Sequence, residues 1–330
     1  MLFHIYGRMV DRIHSSQHSW PEQQSGLRIA GDLPGIFRSV ESVGQAMILI
    51  IPSQRLIKRL ATTDVDCRIR LAKMNGLEAV GIHFLGSCGT MSASADSLNQ
   101  LKHSGYTLIR GVFAQREVRS VADRLSSALR ECTDPSVLRS RGKIYGSRNL
   151  IAAFPGVREI PNHPILAEFI TTVLGANAGM VRALFFDKPP NRSWSLPWHR
   201  DRTIAVKCNK IPTGLFRKPT IKAGIPHVEA PESLMAEMLT IRVHLDPMTA
   251  ENGPLSVIPG SHLVEQQTAN APIALVADAG DVLAMRPLLL HASSVSQEGT
   301  SMHRRVIHLE FASCVELPDE YEWHSFCPMI

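Results

Sequence analysis

The stretch NGPLSVIPGSH, residues 252–262, contains a short β-type run at 255–258 between two groups of turn residues. Comparable runs occur at residues 180–186, 198–206, 239–245, 273–276, 282–285 and 304–311. The sequences Asn252-Gly253-Pro254, Pro259-Gly260 and Gly280-Asp281 supply turns between them. Many short strands separated by such turns predict a mainly β protein with a jelly-roll or barrel core.

Helical patterns flank this β-rich part. Residues 115–131 place five apolar side chains on one face at helical spacing, which predicts an amphipathic helix. Two further helices are predicted at 93–103 and at 164–174, the second with Pro164 at its start and Gly175 just beyond its end. Residues 106–112 are predicted to form a strand between the first two helices.

Composition narrows the class of protein. The chain has 330 residues, 44% of them hydrophobic, which can furnish a substantial core. Its formal charge is +5, but the basic residues are spread out and are not interleaved with aromatic residues. This favours an ordinary solvated surface over a nucleic-acid-binding one, so no nucleic-acid partner is predicted. The longest apolar run, 46–51, is far shorter than the roughly 20 residues that cross a bilayer, so no membrane association is predicted.

The cysteines and the N-terminus indicate location. The six cysteines are widely scattered and form no C-x-x-C pair, which favours a reducing, cytoplasmic setting. The first residues lack the basic start, apolar middle and cleavage site of a secretory signal. The oligomeric state cannot be predicted from this pattern.

The sequence Trp198-His199-Arg200-Asp201 supplies two potential metal ligands. Residues two apart on a strand point to the same side, so His199 and Asp201 can present a nitrogen and an oxygen to one point. An H-x-D sequence is weak evidence alone, because a chain with 14 histidines contains one by chance quite often. The surrounding sequence has to distinguish a metal site from a pair of ordinary surface residues.

A second histidine follows at the end of another strand. Gly280-Asp281 begins an apolar stretch that ends at His291, and a buried core histidine is the alternative interpretation. Two histidines and one carboxylate on one face of an octahedron leave three positions open, as in non-haem iron(II) oxygenases. His199, Asp201 and His291 are therefore the predicted metal ligands and catalytic residues.

Arg304 begins the predicted strand 304–311. The even positions of this strand are mostly polar and its odd positions mostly apolar. If the even face lines a polar pocket, the Arg304 guanidinium can bind a carboxylate through two charge-assisted hydrogen bonds. A solvated edge arginine is the structural alternative, and Arg305 is the competing candidate if the odd face points inward.

The order of these motifs resembles the phytanoyl-CoA dioxygenase family. The shared features are H-x-D, N-G-P-L-x-V-x-P-G-S-H, G-D-V-L, a distal histidine and R-R-V, spread over residues 91–323. The resemblance implies a double-stranded β-helix, a relative of the jelly roll and the cupins. It also implies that His199, Asp201 and His291 bind iron(II). The implied cosubstrate is 2-oxoglutarate, bound by Arg304, and the implied oxidant is O2.

Further residues take roles from the same resemblance. Ser293, two residues after the distal histidine, occupies the position of a hydroxyl that often assists the grip on 2-oxoglutarate, although a structural turn serine is nearly as good an interpretation. His262 falls in a structural turn of the family and is not predicted to be a ligand. For Arg242, Lys188 and Arg148 a surface or supporting role is favoured over substrate contact.

The predicted reaction is hydroxylation of an aliphatic C–H bond of a small organic molecule, with release of succinate and CO2. Halogenating relatives lack the carboxylate ligand that Asp201 supplies here. Two alternatives remain: a cupin-like isomerase or hydrolase that uses zinc or manganese, and a non-catalytic module that binds 2-oxoglutarate. The sequence does not identify the substrate.

The chain changes character near Met91. Residues 1–90 show no sustained helical or strand period and no match to the family, so the oxygenase domain is predicted to span residues 91–330. Two interpretations of residues 1–90 remain: an N-terminal extension of undecided order, or translation that starts upstream of Met91.

Overall fold

The computed structural model describes residues 94–190, 193–263 and 270–329, together with the backbone of four strands between residues 40 and 84. The chain divides into two compact units, Met1–Cys88 and Gly89–Ile330. In the part of the chain that is described, no helix combines the length and apolar character needed to cross a membrane.

The first unit contains an antiparallel sheet that the sequence analysis missed. Its strands are β1 (Val40–Val43), β2 (Ala46–Ile50), β3 (Cys67–Met74) and β4 (Leu77–Phe84), in the order β1-β2-β4-β3. The statement that residues 1–90 lack a strand period was therefore wrong. The signal was present, because residues 67–71 alternate apolar and basic side chains and Asn75-Gly76, a frequent hairpin turn sequence, stands between β3 and β4.

The second unit contains five α-helices and fifteen strands among its described residues. The helices are α1 (Ala95–Ser104), α2 (Gln115–Glu131), α3 (Leu150–Ala153), α4 (Pro164–Leu174) and α5 (Glu232–Ala236), with a 3-10 helix at Pro155–Asn162. The strands are β5 (Tyr106–Ile109), β6 (Val137–Ser140), β7 (Lys143–Ser147), β8 (Gly179–Lys188), β9 (Leu196–His199), β10 (Thr203–Ala205), β11 (Arg217–Lys222), β12 (Ile225–Glu229), β13 (Leu239–His244), β14 (Leu255–Val257), β15 (Ile273–Ala274), β16 (Val282–Met285), β17 (His291–Ser293), β18 (Arg304–Ala312) and β19 (Cys327–Pro328).

The largest sheet has the strand order β5-β16-β13-β18-β8-β7-β6, with β19 added beside β8. Its main pairings, such as those of β13 with β16 and β18, are antiparallel. The helices cover one face, where Ile307, Leu309 and Phe311 of β18 join one hydrophobic cluster with Leu125 and Phe169. The even-numbered residues of β18 therefore point to the opposite face.

A second sheet, in the order β15-β14-β17-β9, packs on that opposite face. A separate apolar cluster joins Leu255 and Val257 of β14 to Leu283 and Met285 of β16. Two antiparallel sheets with a shared interior form the jelly-roll, double-stranded β-helix fold predicted from the sequence. Helices 115–131 and 164–174 and strand 282–285 are confirmed residue for residue.

One other expectation needs correction. The predicted strand 198–206 is interrupted, because β9 ends at His199 and β10 begins at Thr203. Residues 207–231 supply β11 and β12, which pair with β10 in a separate sheet of order β10-β12-β11. This small sheet begins two residues after Asp201.

Candidate metal centre

His199, Asp201 and His291 converge at one point inside the jelly roll. Each offers one ligand atom, and these three atoms lie within 4.8 Å of one another. The Asp201 carboxylate lies between the rings, with Oδ1 3.7 Å from His199 Nε2 and Oδ2 3.7 Å from His291 Nε2. Two imidazole nitrogens and a carboxylate at this spacing fit a metal ion that accepts mixed N/O ligands.

Strand pairing brings the two histidines together across 92 positions of sequence. His199 and His291 are direct partners in the antiparallel register of β9 and β17. Asp201 was expected to lie on the same strand as His199, and this was wrong, since Asp201 lies just beyond the end of β9. Its backbone is held instead by a hydrogen bond from Asp201 N to Pro287 O, 2.9 Å long.

Arg200, between the two ligands of the H-x-D sequence, connects this segment to the one that precedes His291. Its Nε donates to Leu288 O and its Nη2 donates to Ser261 O, both at 2.9 Å. Ser261 Oγ in turn accepts a hydrogen bond from Leu290 N. Arg200 therefore fixes the two ligand-bearing segments relative to each other, a role that was not predicted from the sequence.

The ring orientations leave both Nε2 atoms free for a metal. Nδ1 of His199 lies 2.7 Å from Pro197 O, and Nδ1 of His291 lies 2.8 Å from Leu289 O. A carbonyl oxygen only accepts, so each Nδ1 carries the proton and donates. In the neutral rings Nε2 then holds the lone pair, which is the orientation that metal-bound histidines commonly show.

The electrostatics favour the metal-binding forms of the buried His291 and the partly buried Asp201. Burial lowers the pKa of His291 to about 4, so this ring is neutral at pH 7. Burial alone raises the pKa of the Asp201 carboxyl, but the electrostatic influence of the neighbouring His291, His308, His199 and Arg242 side chains outweighs burial, and the net pKa is lowered. The site therefore offers a carboxylate and an unprotonated imidazole without a change of protonation.

Arg304 and Arg305 occupy different environments. Arg305 Nε and Nη2 donate to the two oxygens of Asp246 at 2.8 and 2.7 Å, so its guanidinium is already paired. Arg304 is only 3% exposed, and its Nε and Nη1 have no hydrogen-bond partner among the described residues. Burial, followed by the charge of Arg242, lowers the pKa of Arg304 to about 9. A buried cation with unused donors fits an anionic ligand.

Lys188 is closer to this region than the sequence analysis expected. It is fully buried opposite Arg304 in the register of β8 and β18. Its Nζ donates to Ser294 O at 2.6 Å and to Ser293 Oγ at 3.1 Å, so the Ser293 hydroxyl is a partner of Lys188. Burial, and then the charges of Arg304 and Arg242, lowers the pKa of Lys188 to about 7.

His308 and Glu310, at two further even positions of β18, belong to a network of polar side chains in the interior. Arg242 Nη1 donates to His308 Nδ1 at 3.4 Å, and His308 Nε2 lies 3.4 Å from Glu310 Oε1. All three side chains are buried. Arg242 thus supports the interior network beside Asp201, which agrees with the supporting role predicted for it.

His262 and Arg148 lie apart from the three converging side chains. His262 Nε2 donates to Lys102 O at the end of α1, and its ring covers Gly105, where a Cβ would collide with it. This is a structural contact, and the described metal-ligand cluster does not include His262. Arg148 follows β7 at the protein surface.

Comparison with known proteins agrees with this geometry. The family model described as phytanoyl-CoA dioxygenase matches residues 101–299. An ectoine dioxygenase of Bordetella parapertussis is 25% identical over 177 residues, which cover 51% of this chain and 49% of that protein. The chain therefore spans about half the length of this curated relative.

Solved structures share the fold at low sequence identity. EctD from S. alaskensis, with 2-oxoglutarate and 5-hydroxyectoine, gives a TM-score of 0.52 at 18% identity and covers 77% of this chain and 86% of its own. SnoK, a non-haem α-ketoglutarate-dependent carbocyclase from nogalamycin biosynthesis, gives 0.50 at 16% identity, covering 66% and 83%. At this level of sequence identity, the two similarities show a shared fold.

The chain folds as a jelly roll in which two histidines and a carboxylate converge. It belongs to the phytanoyl-CoA dioxygenase family, whose model matches more than half of its length.

Proposed function

We propose that the protein is an iron(II)- and 2-oxoglutarate-dependent dioxygenase that hydroxylates an aliphatic C–H bond of a small organic substrate. When bound, iron(II) and 2-oxoglutarate supply the oxidising chemistry, in which O2 is consumed and succinate and CO2 are released. The chain's own residues hold the metal, orient the cosubstrate and exclude water from the reacting atoms.

The convergence of His199, Asp201 and His291 carries this proposal. Their ligand atoms lie within 4.8 Å of one another, and both histidines are oriented by backbone carbonyls. Three protein ligands on one side of a metal leave positions for a cosubstrate and O2. A site with four protein ligands would be closed to such chemistry.

Arg304 is proposed to bind the distal carboxylate of 2-oxoglutarate. Support comes from its burial, from its unused Nε and Nη1 donors, and from the engagement of Arg305 by Asp246. Ser293 is proposed to act beside it together with Lys188, which donates to the Ser293 hydroxyl. Arg304 also argues against the cupin-like alternative. A metal-dependent isomerase or hydrolase does not use 2-oxoglutarate, so the buried Arg304 would have no cosubstrate carboxylate to bind.

The extent and setting of the enzyme are also proposals. All the proposed site residues lie in the unit Gly89–Ile330, which supports an oxygenase domain at residues 91–330. The described cysteines Cys132, Cys208, Cys314 and Cys327 are free thiols, which agrees with the cytoplasmic location expected from the sequence. A small-molecule substrate fits an interior site of this kind.

Succinate formation tests the proposal. Full-length protein with iron(II), 2-oxoglutarate and O2 is expected to form succinate, and a compatible substrate should increase the rate. Asp201→Ala should abolish succinate formation, whereas the matched control Asp278→Asn, an exposed acid, should retain it. Tight binding of zinc without 2-oxoglutarate binding would contradict the proposal and favour the cupin-like alternative.

A further inference from the structure

A second group of charged side chains lies at the opposite end of β18 from Arg304. Arg182 of β8 pairs with Glu310 of β18 in the sheet register, and Arg182 Nη1 lies 3.1 Å from Glu310 Oε1. Both side chains are about nine-tenths buried, with 12% and 10% of their surfaces exposed. The Arg182 Nε atom has no partner within the described part of the chain.

The small sheet adds two more polar groups beside this pair. Lys222 of β11 and His227 of β12 lie on one face of the sheet with Thr203 of β10, as the strand registers require. Lys222 Nζ donates to Thr203 Oγ1 at 2.9 Å. Thr203 is two residues beyond Asp201, so this face adjoins the candidate metal centre.

His227 provides a buried hydrogen-bond acceptor. The residue is 1% exposed, and its Nδ1 donates to Ile225 O at 2.9 Å. Burial lowers the pKa of His227 to about 4, with a further contribution from the charge of Arg182, so the ring is neutral at pH 7. Its Nε2 therefore carries a lone pair, and no donor reaches it among the residues described.

Positive charge is in excess around these groups. Burial lowers the pKa of Lys222, the charges of Arg182 and Arg148 lower it further, and Glu310 and Asp201 act in the opposite direction. Glu310 is already shared by Arg182 and His308. Lys222, which is half-buried, forms no ion pair among the described residues, and an anionic ligand would relieve the cost of burying this charge.

This group is separate from the site proposed for 2-oxoglutarate. Arg304 and Glu310 are six residues apart on β18, which corresponds to roughly 20 Å along a strand. A 2-oxoglutarate molecule bound to Arg304 is too short to reach Arg182. His308, whose charge acts on Asp201, lies between the two ends of the strand.

We propose that Arg182 and Lys222 form a substrate subsite for an anionic group, either a carboxylate or a phosphate, and that His227 Nε2 accepts a hydrogen bond from a donor next to it. This inference rests on the proposed function and assigns the substrate class for the same centre. The bound anion would orient the substrate with its reacting C–H bond toward the metal, opposite the cosubstrate.

Calorimetry on the full chain tests this proposal with defined probes. The protein is loaded with manganese(II) and saturated with 2-oxoglutarate, and then titrated with hexanoate, hexyl phosphate or the neutral hexanamide. At least one anion should bind saturably and hexanamide should not, with the tighter anion identifying carboxylate or phosphate. Lys222→Gln should weaken anion binding about tenfold or more, because a charge-assisted hydrogen bond is lost.

Matched variants control the experiment. Lys218→Gln removes an exposed lysine from the same strand and should leave anion binding unchanged. Arg182→Lys keeps the charge beside Glu310, so it should fold and bind the anion more weakly than the unaltered protein. Equal binding of hexanamide, or no effect of Lys222→Gln, would overturn the inference. Binding of 2-oxoglutarate without binding of either anion would overturn it too, whereas failure of 2-oxoglutarate to bind would refute the proposed function.

Discussion

His199 and His291 lie directly opposite each other on β9 and β17, and their ring centroids are 4.2 Å apart. Strand pairing therefore sets the separation of the two imidazoles, and each Nδ1 is fixed by a carbonyl two residues earlier in the chain. Because the backbone determines these positions, the candidate centre is preorganised for a metal ion. Changes in the supporting contacts should therefore alter metal affinity.

The first prediction concerns Arg200, whose guanidinium connects the segment of His199 and Asp201 to the one before His291 through Leu288 O and to Ser261 O. Arg200→Gln should lower manganese(II) affinity by about tenfold, as expected for a residue that positions metal ligands. Arg200→Lys should restore part of that affinity. Metal titration followed by electron paramagnetic resonance measures this, and equal affinities in all three proteins would count against a positioning role.

The second prediction separates the two adjacent arginines of β18. Arg304→Gln should raise the dissociation constant of 2-oxoglutarate by about 10- to 100-fold, because two charge-assisted hydrogen bonds are lost. Arg305→Gln is the matched control, since Arg305 is engaged with Asp246, and it should change that constant less than about threefold. Calorimetry with the metal-loaded protein measures both constants. A larger increase for Arg305→Gln than for Arg304→Gln would show that Arg305 binds the 2-oxoglutarate carboxylate.

The third prediction concerns pH and His244. This residue is fully buried, neither ring nitrogen has a partner in the described structure, and burial lowers its pKa to about 3. In the unfolded chain its pKa is about 6.5, so as the pH falls below that value the unfolded state binds the proton first. Stability should therefore fall between pH 6.5 and 3, by up to about 1.4 kcal/mol per pH unit.

His244→Phe removes this titration and should flatten the dependence of unfolding free energy on pH. Urea denaturation of the metal-free protein at pH 7, 6 and 5 provides the measurement. His227, whose pKa is lowered to about 4, should preserve part of the slope in the variant. Identical slopes in the two proteins would show that His244 does not contribute.

The fourth prediction concerns the turn before β16. Gly280 has φ +96°, and a Cβ there would collide with Phe113 O. Gly280→Ala should therefore lower the unfolding free energy by about 2–4 kcal/mol. Gly299 also has a positive φ but faces open space, so Gly299→Ala should cost about 1 kcal/mol. Equal losses in denaturation experiments would refute the steric explanation.

Local sequence signals predicted part of the fold well. Helix α4 starts at Pro164 and ends before Gly175, and both residues act through their own backbone geometry. The alternation along β18 correctly separated an apolar outer face from a polar inner one. These features could be predicted because they depend on neighbouring residues in the sequence and not on contacts with distant segments of the chain.

Other features depend on contacts that the sequence does not reveal. Asp201 was predicted to lie within a strand over residues 198–206, but it lies between the observed strands β9 and β10, where a hydrogen bond from its backbone N to Pro287 O holds it. Arg182 and Glu310 are 128 residues apart, so their pairing appears only in the sheet register. Strands β11 and β12 were not predicted, because residues 207–231 are rich in basic residues and proline and show no clear strand pattern.

Anomalous diffraction from crystals grown with manganese(II) and 2-oxoglutarate is the decisive test of the proposed three-residue metal site. We expect one manganese peak within about 2 Å of His199 Nε2, His291 Nε2 and an Asp201 carboxylate oxygen. The distal carboxylate of 2-oxoglutarate should lie against Arg304 in the same crystals. A peak that lacks any one of these three protein ligands, or no ordered manganese at the site, would contradict it.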